Sequence, residues 1–147
     1  MSDAPPLASR LAESVESGSD LSSTHLDTSF LIKALVPGTR EDRRLRRWIG
    51  QGGVIAMSSI GWAEFLSGPV SEVDRQRARK VVGVPLALAE TEAERAAELF
   101  NVGGRRRGSL ADCLIAATAL KAGASLATSN AGDFRPFEGE GLKVVSA

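Results

Sequence analysis

Residues 107–134, RGSLADCLIAATALKAGASLATSNAGDF, decide the fold. Ile115, Ala116 and Ala119 recur at helical spacing and the run stops at Gly123, which predicts a helix over residues 109–122. A short apolar stretch, residues 125–128, follows at once and reads as a strand buried on both faces. Asp112 lies in the first turn of that helix, and Asn130 and Asp133 come just after that strand. In an open α/β sheet, ligands gather beyond the carboxyl ends of the strands. These three polar residues therefore fall where such a fold would place a site.

The same texture extends outward. Upstream, residues 24–27 read as a strand entering a helix over 28–35, which Pro37 and Gly38 stop. Residues 41–51 set Leu45, Trp48 and Ile49 on one helical face with arginines on the other, and Gly52 and Gly53 end the run. Residues 54–57 make a second apolar strand, after which Ser58 or Ser59 caps a helix through Leu66 that Gly68 and Pro69 close. A basic helix is predicted over 71–82, a third strand over 86–89, and a helix over 91–101 with Thr91 and Glu94 as a capping box. A loop rich in glycine and arginine, 103–108, leads back to the deciding segment, and residues 142–145 form the last strand. The expectation is an α/β fold: a small central parallel sheet of four to five strands with helices on both faces. There are no internal repeats.

A chain of 147 residues with 43% apolar content suits one domain with a real core. No apolar run approaches the ~20 residues of a membrane span, and the N-terminus has no signal-peptide pattern. The lone Cys113 cannot form an internal disulfide, so a reducing cytoplasm is expected. Net charge is zero, which gives no global signature of nucleic-acid binding. Its distribution is uneven. Residues 1–24 carry Asp3, Glu13, Glu16 and Asp20 against Arg10, a net of −3, so the remainder carries +3. Pro5, Pro6, Gly18 and many serines make residues 1–24 a poorly ordered extension, with the domain proper over 25–147. Three basic clusters stand out: Arg43, Arg44, Arg46 and Arg47; Arg75, Arg77, Arg79 and Lys80; and Arg105, Arg106 and Arg107. Runs of this kind are commonly solvated helix faces.

Asp27 closes the first strand and Glu64 sits mid-helix after the second, among apolar Trp62, Phe65 and Leu66. With Asp112 and Asp133, four acids could converge at one end of the sheet. Converging carboxylates repel one another unless a cation neutralises them. An all-oxygen donor set without a His or Cys group favours Mg²⁺ or Mn²⁺ over zinc. Each residue also has a plainer reading. Asp112 could complete a capping box with Ser109, and Asp27 could cap the helix at Thr28. Asn130 to Asp133 could be only a turn, and an arginine could neutralise Glu64. His25 and Cys113 read as packing residues, and Trp48 and Trp62 as core rather than base-stacking platforms.

The chain resembles the PIN domain family, in particular the toxin nucleases of VapBC toxin–antitoxin pairs. Four stretches carry the resemblance: LDTSFLIKAL (26–35), SSIGWAEFLSG (58–68), the segment 107–134, and GLKVVSA (141–147). It implies hydrolysis of single-stranded or loop RNA with Mg²⁺ or Mn²⁺, leaving 5′-phosphate and 3′-hydroxyl ends. Asp27, Glu64 and Asp112 would be the acidic metal-binding and catalytic core, and Asp133 its fourth acid. Thr28, Ser29, Thr128 and Asn130 would orient acids, water or phosphate. It further implies a homodimer and a cognate antitoxin that sends a basic side chain into the acidic pocket. The family usually opens within a few residues of its first strand, whereas Met1 lies well upstream of Asp27. A PIN nuclease of RNA processing, or a silent PIN module that binds RNA or protein, would share this pattern. A nucleotide-binding domain would want a glycine-rich loop after the first strand, where Asp27, Thr28, Ser29 and Phe30 stand instead. Arg105, Arg106 and Arg107 just precede the helix of Asp112 and are the expected RNA-facing cluster. Replacing all three by Ala is expected to weaken RNA binding and flatten its salt dependence; an unchanged slope of log affinity against log salt would remove the cluster from the interface.

Overall fold

The computed structural model describes residues 23–103 and 109–147. Strand β1 (Ser23–Leu26) runs straight into helix α1 (Thr28–Ala34), and α2 (Arg40–Gly50), β2 (Val54–Ala56) and α3 (Ser59–Ser67) follow. Three helices come next, α4 (Glu72–Val82), α5 (Glu90–Val102) and α6 (Leu110–Ala122), then β3 (Ser125–Ala127), the short α7 (Ala131–Phe134), a 3₁₀ segment (Arg135–Glu140) and β4 (Lys143–Val145). Of the expected extension over residues 1–24, all but the last two lie outside the described residues; Ser23 and Thr24 open β1. Arg105, Arg106 and Arg107 also lie outside them.

The sheet has four strands in the order β2-β1-β3-β4, every pair parallel. Side chains alternate across it, and adjacent residues of β3 enter different cores. Ala127 packs with Leu26, Phe30, Leu31, Met57 and Phe65 on one face, whereas Leu126 packs with Leu99, Ile115, Ala116, Phe134 and Phe137 on the other. Trp48 stacks on Phe30 at 5.6 Å between ring centroids, and Trp62 lies 5.4 Å from Phe65. Both indoles belong to the core, as expected.

Two expectations change. Residues 86–89 do not form a third strand: pairing there is a single parallel bridge between Ser58 and Leu86. The Leu86 N–H donates to the Met57 carbonyl and the Ser59 N–H to that of Leu86. The reason is that the neighbouring chain enters α3 at Ser59, so no ladder remains to extend. The Thr91–Glu94 capping box does not form either. Helix α5 begins one residue earlier, with Ala89 at its N-cap. The Thr91 hydroxyl donates instead to Glu92 Oε1, and Lys121 of α6 donates to both residues. That cluster holds the Glu92 carboxyl below its usual range, first through the Thr91 hydroxyl and then through Lys121.

The helix ends otherwise follow the sequence. Gly123 takes φ +65°, and the Ala124 N–H reaches back to the Ala119 carbonyl, a left-handed stop that favours glycine. Several arginines of α2 and α4 have local partners: Arg44 lies over Trp48 and Arg79 over Trp62, while Arg46 and Arg77 pair with Asp42 and Asp74. Among the described residues no helix is long and apolar enough to cross a membrane.

The start of α2 is fixed from both sides. The Thr39 hydroxyl accepts the Asp42 N–H at 3.0 Å, and Asp42 Oδ2 accepts the Gly38 N–H at 2.9 Å. The Gly38 amide and then Arg46 hold the Asp42 carboxyl below its usual value, against the opposing effect of desolvation. A carboxyl depressed by folding adds stability above its unfolded pKa, and that stability is lost as pH falls. Asp42→Asn is therefore expected to lower the Tm at pH 7, with the gap from the parent closing below about pH 4. A gap independent of pH would mean that the charge at Asp42 plays no part.

Candidate active site

The register of the two central strands builds the site. Leu26 pairs with Ala127, and the ladders run one residue further: the Asp27 N–H donates to the Ala127 carbonyl and the Thr128 N–H to that of Val145. Asp27 and Thr128 therefore stand side by side at the carboxyl ends of β1 and β3. The chain goes from β1 outward to β2 on one side and later returns to β3 on the other, so this is the switch point of the sheet.

Asp27 is 5% exposed. Thr128 Oγ1 and Ser29 Oγ each donate to its Oδ2 at 2.8 Å. Both hydroxyls take the same oxygen, and neither takes Oδ1. Asp27 has the extended backbone of an N-cap, φ −76° and ψ 155°, yet its side chain makes no capping bond to α1. Two hydroxyls have drawn the carboxylate away from the helix end.

Glu64 is carried by α3, whose start is fixed by the Gly61 N–H donating to Ser58 Oγ at 3.0 Å. The Thr28 hydroxyl is within donating distance, 3.0 Å, of both Glu64 Oε1 and the Gly61 carbonyl. Position 61 is closely packed, chiefly against the end of the Met57 side chain. A Cβ there would lie 3.1 Å from Met57 Cε and 3.5 Å from Thr28 Oγ1. The arginine that could have neutralised Glu64 does not appear: among the described residues Asp27, Glu64 and Asp133 have no ion-pair partner. Asp112 sits in the first turn of α6, where the Ser109 side chain makes no capping bond. The capping box expected there as the plainer alternative is not formed.

The segment after β3 brings the remaining groups. The Asn130 N–H donates to Thr128 Oγ1 at 2.9 Å, and the Ser129 N–H to Ser29 Oγ at 3.0 Å. The Asp133 N–H returns to the Asn130 carbonyl, placing Asp133 in the first turn of α7. Asn130 to Asp133 is thus a turn, and its residues also face the site. All four acids line one open cleft of about 330 Å³, together with Thr28, Ser29, Asn130 and the apolar edge of Ile32. Thr128 lies behind it, wholly buried.

As the side chains lie, no group of three or more His, Cys, Asp or Glu among the described residues is arranged to hold a metal ion. The donor set nevertheless suits one kind of ion. Mg²⁺ and Mn²⁺ are content with one or two carboxylates and several waters, and need no protein cage. An open cleft with oxygen donors from separate elements fits such a hydrated ion.

Two residues near the site were not legible in the sequence. Neither Ser129 nor Glu41 carries a motif of its own, yet Ser129 Oγ donates to Glu41 Oε2 at 2.8 Å. No local pattern links residues 88 positions apart. His25 and Cys113 are buried. Burial holds the His25 imidazole below its usual pKa, and its Nδ1 has no hydrogen-bond partner among the described residues.

A parallel α/β domain with an acidic cleft at its switch point is the class that fold and site define. The chain belongs to the PIN domain family, whose pattern matches residues 25–138. Its fold is similar to that of a chain in VapBC2 from Rickettsia felis bound to a promoter DNA fragment, at 19% identity over 85% of this chain and 98% of that one, with a TM-score of 0.65. A chain of a toxin–antitoxin complex from Klebsiella pneumoniae is similar at 29% identity over 83% and 95%, TM-score 0.64. So is one of VapBC-1 from nontypeable Haemophilus influenzae, at 21% identity over 84% and 97%, TM-score 0.64. No curated protein matches the chain.

Thr128→Val keeps the shape of a wholly buried side chain while removing its donor to Asp27 and its acceptor for the Asn130 N–H. It is expected to cost about 1–3 kcal/mol in urea unfolding. A cost below about 0.5 kcal/mol would mean that these two bonds add nothing net over solvation.

Proposed function

We propose that the chain is a metal-dependent endoribonuclease and the toxin of a type II toxin–antitoxin pair. The observation that carries this reading is the gathering of Asp27, Glu64, Asp112 and Asp133 around one cleft at the carboxyl ends of the central strands. Asp27, Glu64 and Asp112 would hold Mg²⁺ or Mn²⁺, with Asp133 completing the donor set. When bound, such an ion supplies Lewis-acid polarisation of the phosphodiester and a water of lowered pKa. The chain's own residues do the rest. Ser29 and Thr128 fix one oxygen of Asp27, so that carboxylate meets its ligand without first being reorganised. Thr28 does the same for Glu64. Asn130 presents an amide at the cleft that can donate to a phosphate oxygen, and Ile32 gives the rim an apolar edge. Neither Asp27 nor Glu64 is tied to a basic side chain among the described residues, which keeps both available.

The substrate in this reading is single-stranded or loop RNA, cut to leave 5′-phosphate and 3′-hydroxyl ends, with Arg105, Arg106 and Arg107 contributing phosphate contacts. The toxin assignment is supported by the likeness to chains of toxin–antitoxin complexes, the Klebsiella pneumoniae one at 29% identity among them. It makes the partner a cognate antitoxin, the assembly a homodimer and the compartment the cytoplasm.

The test is cleavage of varied RNAs by the purified protein with Mg²⁺ or Mn²⁺, beside Asp27→Asn and Asp112→Asn proteins. EDTA should abolish cleavage, and each substitution should lower it on the order of a hundredfold or more, the scale of several kcal/mol of lost charge stabilisation. Cleavage that survives in both variants would overturn the site.

A further inference from the structure

We infer that Glu41 is a positioning residue of this cleft, holding from α2 the segment that carries Asn130 and Asp133. The inference rests on the nuclease reading and extends it to a residue outside the acidic core. Glu41 Oε2 accepts the Ser129 hydroxyl at 2.8 Å. The Ser129 main-chain N–H is in turn held by Ser29 Oγ at 3.0 Å, and Ser29 Oγ donates to Asp27 Oδ2 at 2.8 Å. Four groups thus form one connected line from α2 to the most buried acid of the site. Ser129 stands between Thr128, which orients Asp27, and Asn130, which lines the cleft.

Two further facts give Glu41 leverage. The end of α2 that carries it is itself immobilised by the Thr39 cap and the Asp42–Gly38 bond. The segment it holds is short: Ser129 lies two residues after the end of β3 and just before Asn130, the N-cap of the four-residue α7. Without Glu41 the Ser129 side chain loses this anchor while its amide stays bound to Ser29 and that of Asn130 to Thr128, so the segment loosens at one of three points. Asn130 and Asp133 then sample positions away from the cleft, and a ligand must restrain them on binding. A carboxylate that acts in this way through Ser129 touches neither ion nor phosphate. Its role therefore depends on accepting a hydrogen bond rather than on its charge.

That distinction defines the experiment. Mn²⁺ affinity is measured by calorimetry on the full chain, alongside RNA cleavage, for Glu41→Ala, Glu41→Gln, Ser129→Ala, Glu41→Ala with Ser129→Ala, and Asp27→Asn as control. Loss of a residue that orients a metal site's ligands commonly weakens affinity about 10–100-fold. Glu41→Ala and Ser129→Ala are each expected to fall in that range, and the double variant to be no worse than the weaker single one, since both cut the same link. Glu41→Gln, which keeps an accepting oxygen, should stay within about threefold of the parent. A purely structural role would shift the Tm without this pattern in affinity. Additive losses in the double variant, parental Mn²⁺ affinity in both alanine variants, or a glutamine variant as weak as alanine would each overturn the inference. Asp27→Asn separates the two readings. If it binds Mn²⁺ and cleaves like the parent, the nuclease site itself is wrong; if it fails while Glu41→Ala behaves as parent, only the role of Glu41 falls.

Discussion

Three segments of the candidate site meet at one carboxylate oxygen. Asp27 Oδ2 is shared by the hydroxyls of Thr128 and Ser29, one from the end of the neighbouring strand and one from its own helix. Hydrogen bonds to a buried charged group contribute about 1.5–3 kcal/mol each, more than neutral ones. They also consume the groups that would otherwise satisfy local needs. Asp27 gives up capping α1, Ser29 accepts from the Ser129 amide, and Thr128 accepts from that of Asn130. A carboxylate at the end of a central strand, buried with no cation beside it among the described residues, thereby becomes the point that organises three segments.

This arrangement is possible because the sheet is parallel and its two central strands end together. The register that pairs Leu26 with Ala127 leaves the next residues level with each other. A slip of one residue would turn Thr128 to the other face and break the link. Burial on both faces fixes that register, since adjacent residues of β3 fill different cores. Packing far from the cleft therefore determines whether the cleft exists. At α3 the Thr28 hydroxyl reaches across to Glu64 from the neighbouring helix.

Much of the architecture was readable from local signals. Gly123 stops α6, Gly38 precedes α2, and apolar runs bounded by turn residues mark the strands. Failures came where a local signal competed with a partner distant in sequence. Thr91 and Glu94 had the spacing of a capping box, but Lys121 and Glu92 offered the Thr91 hydroxyl a better use. Residues 86–89 had the composition of a strand, but the edge they would have joined turns into a helix after one bridge.

The sequence by itself determined the alternation of strand and helix, the two-sided burial of the sheet, and the candidates Asp27, Glu64, Asp112 and Asp133. These follow from periodicity, from turn chemistry and from the strand-end rule for parallel sheets, all of which act over a few residues. Only the tertiary structure decided that the four acids share one cleft and that Asp27 is oriented rather than capping. It alone joined Glu41 to Ser129 across 88 positions. Hydrogen bonds between distant segments depend on register and on helix placement, and those are fixed by the whole core at once rather than by any stretch of chain.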